Sequence, residues 1–183
     1  MPKRDGLEFY SDEARNVIIK KKATNGKDDY LAFQSHTDMV CEKISTSTHN
    51  FDTDPIDLLI CGDYIQSAET SIGADNGIGV AYMLAMLDSN NLIHPNLEML
   101  FTAEEETSMN GAKEIDLTKI NSNRIISFDA FSDNIINCGC ASNLSRYIKV
   151  DSKRKPLDKI EKMATYRISI DGFERWSFRE RHW

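Results

Sequence analysis

An α/β fold, with a mixed or largely parallel sheet flanked by helices, is what this sequence predicts, and three observations carry the prediction. Apolar runs of strand length recur along the chain, a stretch with helical periodicity falls between two of them, and histidine and carboxylates collect where the runs end. The 183 residues, 40% of them hydrophobic, suffice for one domain with a core, or for one domain and part of another.

The elements follow in order. "NVIIKK" (16–21) and "DDYLAFQSH" (28–36) read as strands joined through "ATNGKDD", whose Asn-Gly step predicts a hairpin-like reversal. After a polar loop, "DLLICGDYIQ" (57–66) and the glycine-punctuated "SIGADNGIG" (71–79) lead into a helix, "IGVAYMLAMLDSN" (78–90). Val80, Met83, Leu84 and Leu87 share one face of it at helical spacing, and its Ala and Gly residues allow close packing on a sheet. "NLEMLFTAEEE" (96–106) is a strand running into carboxylates, and "SMNGAKEI" (108–115) a short helix. "RIISFDAF" (124–131), "NIINCGC" (134–140) and "NLSRYIKVD" (143–151) read as further strands. A charged linker at 152–164 precedes an alternating strand, "TYRISIDG" (165–172), which divides the chain into a domain over 1–164 and a second segment over 165–183.

Bulk properties narrow the function. A net charge of -7 with pI near 5.1 opposes the phosphate backbone, so nucleic acid is not an expected partner. The start, "MPKRDGLEFYSDE", has no apolar stretch behind its basic residues, and "VAYMLAML" is too short to cross a bilayer, which predicts a cytoplasmic chain with no membrane partner. Cys41, Cys61, Cys138 and Cys140 fit neither a disulfide framework nor paired zinc-ligand spacing, and are expected to be free, mostly buried thiols.

Four features bear on chemistry. His36 and Asp38 end one apolar strand, Glu104, Glu105 and Glu106 end another, Asp129 ends a third, and Asp75 lies directly before the helix, whose N-terminal dipole tolerates an anion. In open α/β sheets such residues converge beyond the carboxyl ends of the strands. One imidazole and several carboxylates gathered there repel unless a cation sits among them, and mixed nitrogen and oxygen donors suit Zn²⁺, with Mn²⁺ or Co²⁺ as alternatives. Each feature alone has a plain reading: a surface histidine, a solvated acidic run, a glycine turn.

The blocks "QSHTDMVCEK", "NFDTDPI", "IGADNGIGVAYMLAMLD", "LFTAEEETSMNGA" and "FDAF" together resemble the successive motifs of the aminoacyl-histidine (Xaa-His, or cytosolic non-specific) dipeptidases of the M20 zinc metallopeptidase clan. The resemblance implies an α/β catalytic domain holding two zinc ions, with a separate lid domain that helps bind the dipeptide and forms a homodimer. By motif position His36 and Asp129 resemble ligands of one metal, Asp75 the carboxylate bridging both, and Glu106 a ligand of the second. Asp38 resembles the carboxylate that orients the ligand imidazole. Glu105 resembles the general base, which takes a proton from a metal-activated water and passes it to the leaving amine. Neighbouring Glu105 and Glu106 can divide these tasks only if the backbone leaves strand geometry there.

The chain also departs from the pattern. Glu69 and Ser108 stand where the family usually has glycine, and "GCASN" replaces "GCAGG". The family's lid and its final metal-binding histidine have no counterpart in sequence here. One permitted codon set for Glu174–Trp183, read with its first base dropped, encodes "NGGHSGRDIG", the block expected at that point of the lid. Residues 174–183 are therefore expected to be out-of-frame translation rather than a basic-aromatic binding patch. The chain is expected to be a partial catalytic domain without lid-mediated dimer contacts and with little or no peptidase activity. The alternatives are a non-catalytic metal-binding remnant, or a subunit completed by a separately encoded lid.

Overall fold

The structure, a computed structural model, describes residues 7–130 and 135–139. The strands expected at 143–151 and 165–172, the linker at 152–164, the domain boundary after 164, the tail at 174–183 and Cys140 lie outside the described residues. The chain divides into two compact units, Met1–Asp133 and Asn134–Trp183, and every described helix and strand belongs to the first.

That unit is built on a five-stranded mixed sheet. Strands β1 (Leu7–Ser11) and β2 (Val17–Lys21) form an antiparallel hairpin, β2 pairs antiparallel with β6 (Asn96–Thr102), β6 pairs parallel with β3 (Tyr30–His36), and β3 pairs parallel with β7 (Ile125–Ser127). The expected pairing of 16–21 with 28–36 is corrected: β6 lies between them, and the hairpin partner of β2 is β1. The Asn-Gly step reverses the chain, but the neighbour of each strand is decided by which apolar surface needs covering. Almost every side chain of β6 is buried, so it takes the centre, whereas β1 has no buried residue and three exposed ones, which suits an edge and makes it faint in sequence.

The parallel neighbours β3 and β6 require a crossover. It is made by a small separate hairpin, β4 (Leu59–Cys61) with β5 (Tyr64–Gln66), and then by helix α1 (Ala74–Asp88). Strand periodicity sorts the core onto both faces of the sheet. Leu97, Met99 and Phe101 pack with Met83 and Leu87 of α1, while Leu100, Ile18 and Ala32 pack on the opposite side with Tyr10, Ile115 and Ile120. In α1 the buried stripe is Asn76, Gly79, Met83 and Leu87. Leu84 is corrected to an exposed position, 40% accessible, because it stands about 100° around the helix from Met83. At Gly79 the helix lies close against β3: a Cβ there would sit 2.7 Å from Ser35 Oγ and 2.3 Å from the helix's own Asn76 Oδ1. Lys21, ending β2, donates to the carbonyls of Met86 and Ser89 and so binds the C-terminal end of α1 to the sheet.

One charge is buried inside this frame. Glu98 is fully buried, 3.0 Å from Lys20 Nζ, and accepts from the backbone N–H groups of Asn121 and Ser122 and from the Asn121 side chain. It ties the segment leading into β7 to the middle of the sheet. Among the other expectations, Cys41, Cys61 and Cys138 are free as expected but exposed rather than buried. Residues 135–139 of "NIINCGC" form no strand. No helix among the described residues is long and apolar enough to cross a membrane.

Candidate metal centre

The parallel arrangement of β6, β3 and β7 sends their carboxyl ends to a single edge of the sheet. His36 is the last residue of β3 and lies opposite Thr102, the last of β6, while Ser127 of β7 lies opposite Gln34. The Gln34 amide joins the three ends, donating to Thr102 Oγ1 at 3.0 Å and accepting from Ser127 Oγ at 2.7 Å. Asp129 lies two residues past the end of β7. Asp75 reaches the same edge from the start of α1, where Asp75 and Asn76 lie outside helical geometry and Ser35 Oγ donates to the Asn76 carbonyl at 3.0 Å.

His36 is 1% accessible, and its two nitrogens have different partners. Nδ1 is 2.9 Å from the Asp38 carbonyl oxygen, which can only accept, so Nδ1 carries the proton. Nε2 is 3.0 Å from Asp75 Oδ1. In the neutral ring that contact sets two lone pairs against each other, and it is favourable only with a proton or a metal cation between them. Burial disfavours the imidazolium, but the Asp75 carboxylate and the Asp38 carbonyl outweigh it and hold the His36 pKa above its ordinary value.

Strand β6 gives way at Glu104, whose φ of 57° turns the backbone sharply before the short helix α2 (Glu105–Ser108) begins. The departure from strand geometry required for Glu105 and Glu106 is therefore present. The Asp38 carboxylate holds it: Oδ1 accepts from Glu105 N and Oδ2 from Glu106 N, each at 3.1 Å. Burial opposes ionisation of Asp38, yet these two N–H groups keep its carboxyl below the ordinary range. Its carboxylate is 3.6 Å from His36 Nδ1, too far for a hydrogen bond, so Asp38 touches the imidazole through its carbonyl and the glutamates through its side chain. Replacing Asp38 by alanine is expected to weaken divalent-cation affinity about ten- to hundredfold with the far-UV circular dichroism unchanged. Equal affinity in a calorimetric titration would show that the two tethers do not govern the site.

Glu105 is raised above the ordinary glutamate value, first by burial and then by the nearby carboxylates of Asp129, Glu106 and Asp38, while His36 pulls the other way. The donors fall into two groups that share the imidazole. His36 with Asp75 and Glu106 is one, His36 with Glu105 and Asp129 the other, and in each the ligand atoms lie within 4.8 Å of one another. All five residues singled out in the sequence as ligands or base are thus brought together, and nitrogen with several carboxylate oxygens is a donor set that fits Zn²⁺, Mn²⁺ or Co²⁺. Sequence reasoning missed Asn16, a buried side chain at the same edge, and did not foresee where the Asp38 carboxylate points. A lone asparagine in a turn gives no signal of burial.

Comparison with known proteins gives the family. Residues 16–137 match the sequence profile of Peptidase family M28. The cytosol non-specific dipeptidase of Escherichia coli strain K12 is 35% identical over 176 residues, covering 94% of this chain and 36% of that protein. The crystal structure of aminoacylhistidine dipeptidase from Vibrio alginolyticus superposes with a TM-score of 0.65 at 36% identity, covering 68% of this chain and 26% of that one. The aminopeptidase PepT of Bacillus cereus gives a TM-score of 0.57 at 27% identity, covering 69% of this chain and 35% of that one. The resemblance to dipeptidases and the mixed α/β fold expected from it are both borne out, over about a third of the length of these relatives.

Proposed function

Because this chain belongs to peptidase family M28, we propose that it carries the metal-dependent catalytic machinery of a dipeptidase acting on peptides such as Xaa-His. The observation that carries this reading is the sharing of one buried imidazole, His36, by two groups of carboxylate donors. His36, Asp75, Glu106 and Asp129 are assigned as the residues that would hold Zn²⁺, with Asp75 in the shared-carboxylate role that the family resemblance implies. When bound, the metal supplies Lewis acidity, which lowers the pKa of water and polarises a peptide carbonyl.

The protein's own groups do the rest. The proton on Nδ1 of His36, held by the Asp38 carbonyl, leaves Nε2 free to be a ligand. Glu105, with its raised pKa, is suited to take a proton from the attacking water as the oxygen bonds to the carbonyl carbon. The same carboxylic acid then protonates the amine as the C–N bond breaks, so the proton count balances within one turnover. The proposed location is the cytoplasm, in line with the name of the Escherichia coli relative.

The test uses Zn²⁺-loaded protein and the dipeptide Ala-His. Release of histidine, however slow, is expected to disappear on treatment with a chelator and to fall at least about a hundredfold in Glu105→Gln. Turnover indifferent to either change would remove the proposed roles. Metal uptake without any turnover in the unmutated chain would favour the non-catalytic, metal-binding alternative.

A further inference from the structure

We propose that Asn16 is a positioning residue of the metal centre, clamping the neck of the loop that carries Glu105 and Glu106. The inference rests on the metal-site reading above and adds to it a residue outside the donor groups.

The problem Asn16 solves is mechanical. Helix α2 buries no side chain at all, and helix α3 (Asn110–Glu114) buries only Gly111. Apolar packing therefore cannot fix where Glu105 and Glu106 point, and polar tethers must do so. Asp38 supplies tethers at the tip. At the base of the loop, Gly111 N–H donates to the Ala103 carbonyl at 3.0 Å, closing residues 104–110 into a ring. A second, reciprocal backbone bond is missing, and the Asn16 amide takes its place: Nδ2 donates to the Gly111 carbonyl at 2.9 Å and Oδ1 accepts from Ala103 N–H at 3.2 Å.

Asn16 is itself held rigidly. Its side chain is 1% accessible, its Nδ2 donates also to Asp12 Oδ2 at 2.8 Å, and its backbone N–H donates to Asp12 Oδ1 at 2.8 Å. It stands at this edge because β2 runs antiparallel to β6, with Val17 opposite Phe101, so the residue entering β2 meets the residues leaving β6. Gly111 is shaped to the same contact: a Cβ there would lie 2.2 Å from the Ala103 oxygen and 2.5 Å from Asn16 Oδ1. Asparagine is the side chain that carries both a donor and an acceptor at this reach. Leucine of similar volume would leave Ala103 N–H and the Gly111 carbonyl unpaired in a buried place.

The test is titration of the full chain with Co²⁺, read by calorimetry and by the visible absorption of the bound ion, in wild type, Asn16→Ala and Asn16→Asp. The aspartate variant keeps the side-chain volume, loses the donor to Gly111 and to Asp12 Oδ2, and faces the Asp12 carboxylate with a second one, so it opens the neck without a cavity. The expected result is far-UV circular dichroism like the wild type, Co²⁺ affinity about tenfold weaker in both variants, and an altered absorption band reporting displaced glutamates. Folded variants with unchanged affinity and spectrum would overturn the role of Asn16 while leaving the metal site intact. Failure of both variants to fold would make Asn16 a residue of the core alone and would also overturn it. A wild-type chain that takes up no Co²⁺ would sink the metal reading and this inference together.

Discussion

Replacing His36 by alanine is expected to abolish divalent-cation binding, lowering affinity by at least about a hundredfold, the largest single effect in this protein. The reason is that His36 supplies the one nitrogen donor of both candidate groups, so without it neither the Asp75–Glu106 set nor the Glu105–Asp129 set is complete. Asp75→Ala removes a donor from the first group, and with it the carboxylate proposed above as shared, but it leaves the nitrogen donor in place and should leave weaker binding that still depends on His36. What remains after His36→Ala is a set of carboxylates with no nitrogen donor and with mutual repulsion, a poorer match for zinc. Titration with Zn²⁺ or Co²⁺, alongside circular dichroism to confirm folding, checks the pair. Retention of binding in His36→Ala would contradict the shared-imidazole geometry.

Glu98→Ala is expected to be the most destabilising carboxylate substitution in the sheet, by about 3–5 kcal/mol, because it leaves Lys20 and the N–H groups of residues 121 and 122 without their partner. Burial raises the Glu98 pKa, but the N–H groups of Asn121 and Ser122 and the Lys20 ammonium outweigh it and hold the carboxyl below the ordinary value of 4.5. The sign of the pH effect follows. A depressed folded-state pKa contributes stability that is fully present above the unfolded value and is lost as pH falls through the folded one. Denaturant unfolding of wild type and Glu98→Gln should therefore differ by a constant amount above about pH 5.5 and converge as the solution is acidified below 4.5. A difference that grows on acidification would show that the buried carboxylate is not the ionised partner of Lys20.

Legibility in the sequence varied with the range of the physics involved. The apolar runs at 30–36 and 96–102 were plain because no residue of the first is exposed and all but one of the second are buried, and the helix expected over 78–90, observed over 74–88, was plain from its small-residue punctuation and periodic apolar face. Strand 7–11 was missed because an edge strand with mostly solvated side chains has little pattern to show. The pairing of β2 was misread because a turn sequence reports only a local reversal, whereas the insertion of β6 depends on residues eighty positions away. Leu84 was misplaced because Met83 and Leu84 are both apolar neighbours, and only the sheet decides which of them faces inward.

The same division holds at the site. Glu105 and Glu106 could be given different roles from the sequence only on condition that the backbone turned, and the turn at Glu104 meets the condition. The Asp38 carboxylate was expected on the imidazole, yet it is the carbonyl that reaches Nδ1 while the side chain spans to α2. Nothing in the spacing of residues 36 and 38 could distinguish these, because both atoms belong to one residue and the choice depends on where a distant loop closes.

By itself, then, the sequence determined the fold class and the family resemblance and named six candidate residues, His36, Asp38, Asp75, Glu105, Glu106 and Asp129, because residue chemistry and local periodicity are written in consecutive positions. Only the tertiary structure decided that one buried imidazole lies within reach of two groups of carboxylates, and that Asp38 and Asn16 hydrogen-bond the glutamate loop at its tip and its neck. Those facts depend on the order and direction of strands in the sheet, which is set by competition among all apolar surfaces at once and not by any one stretch of chain.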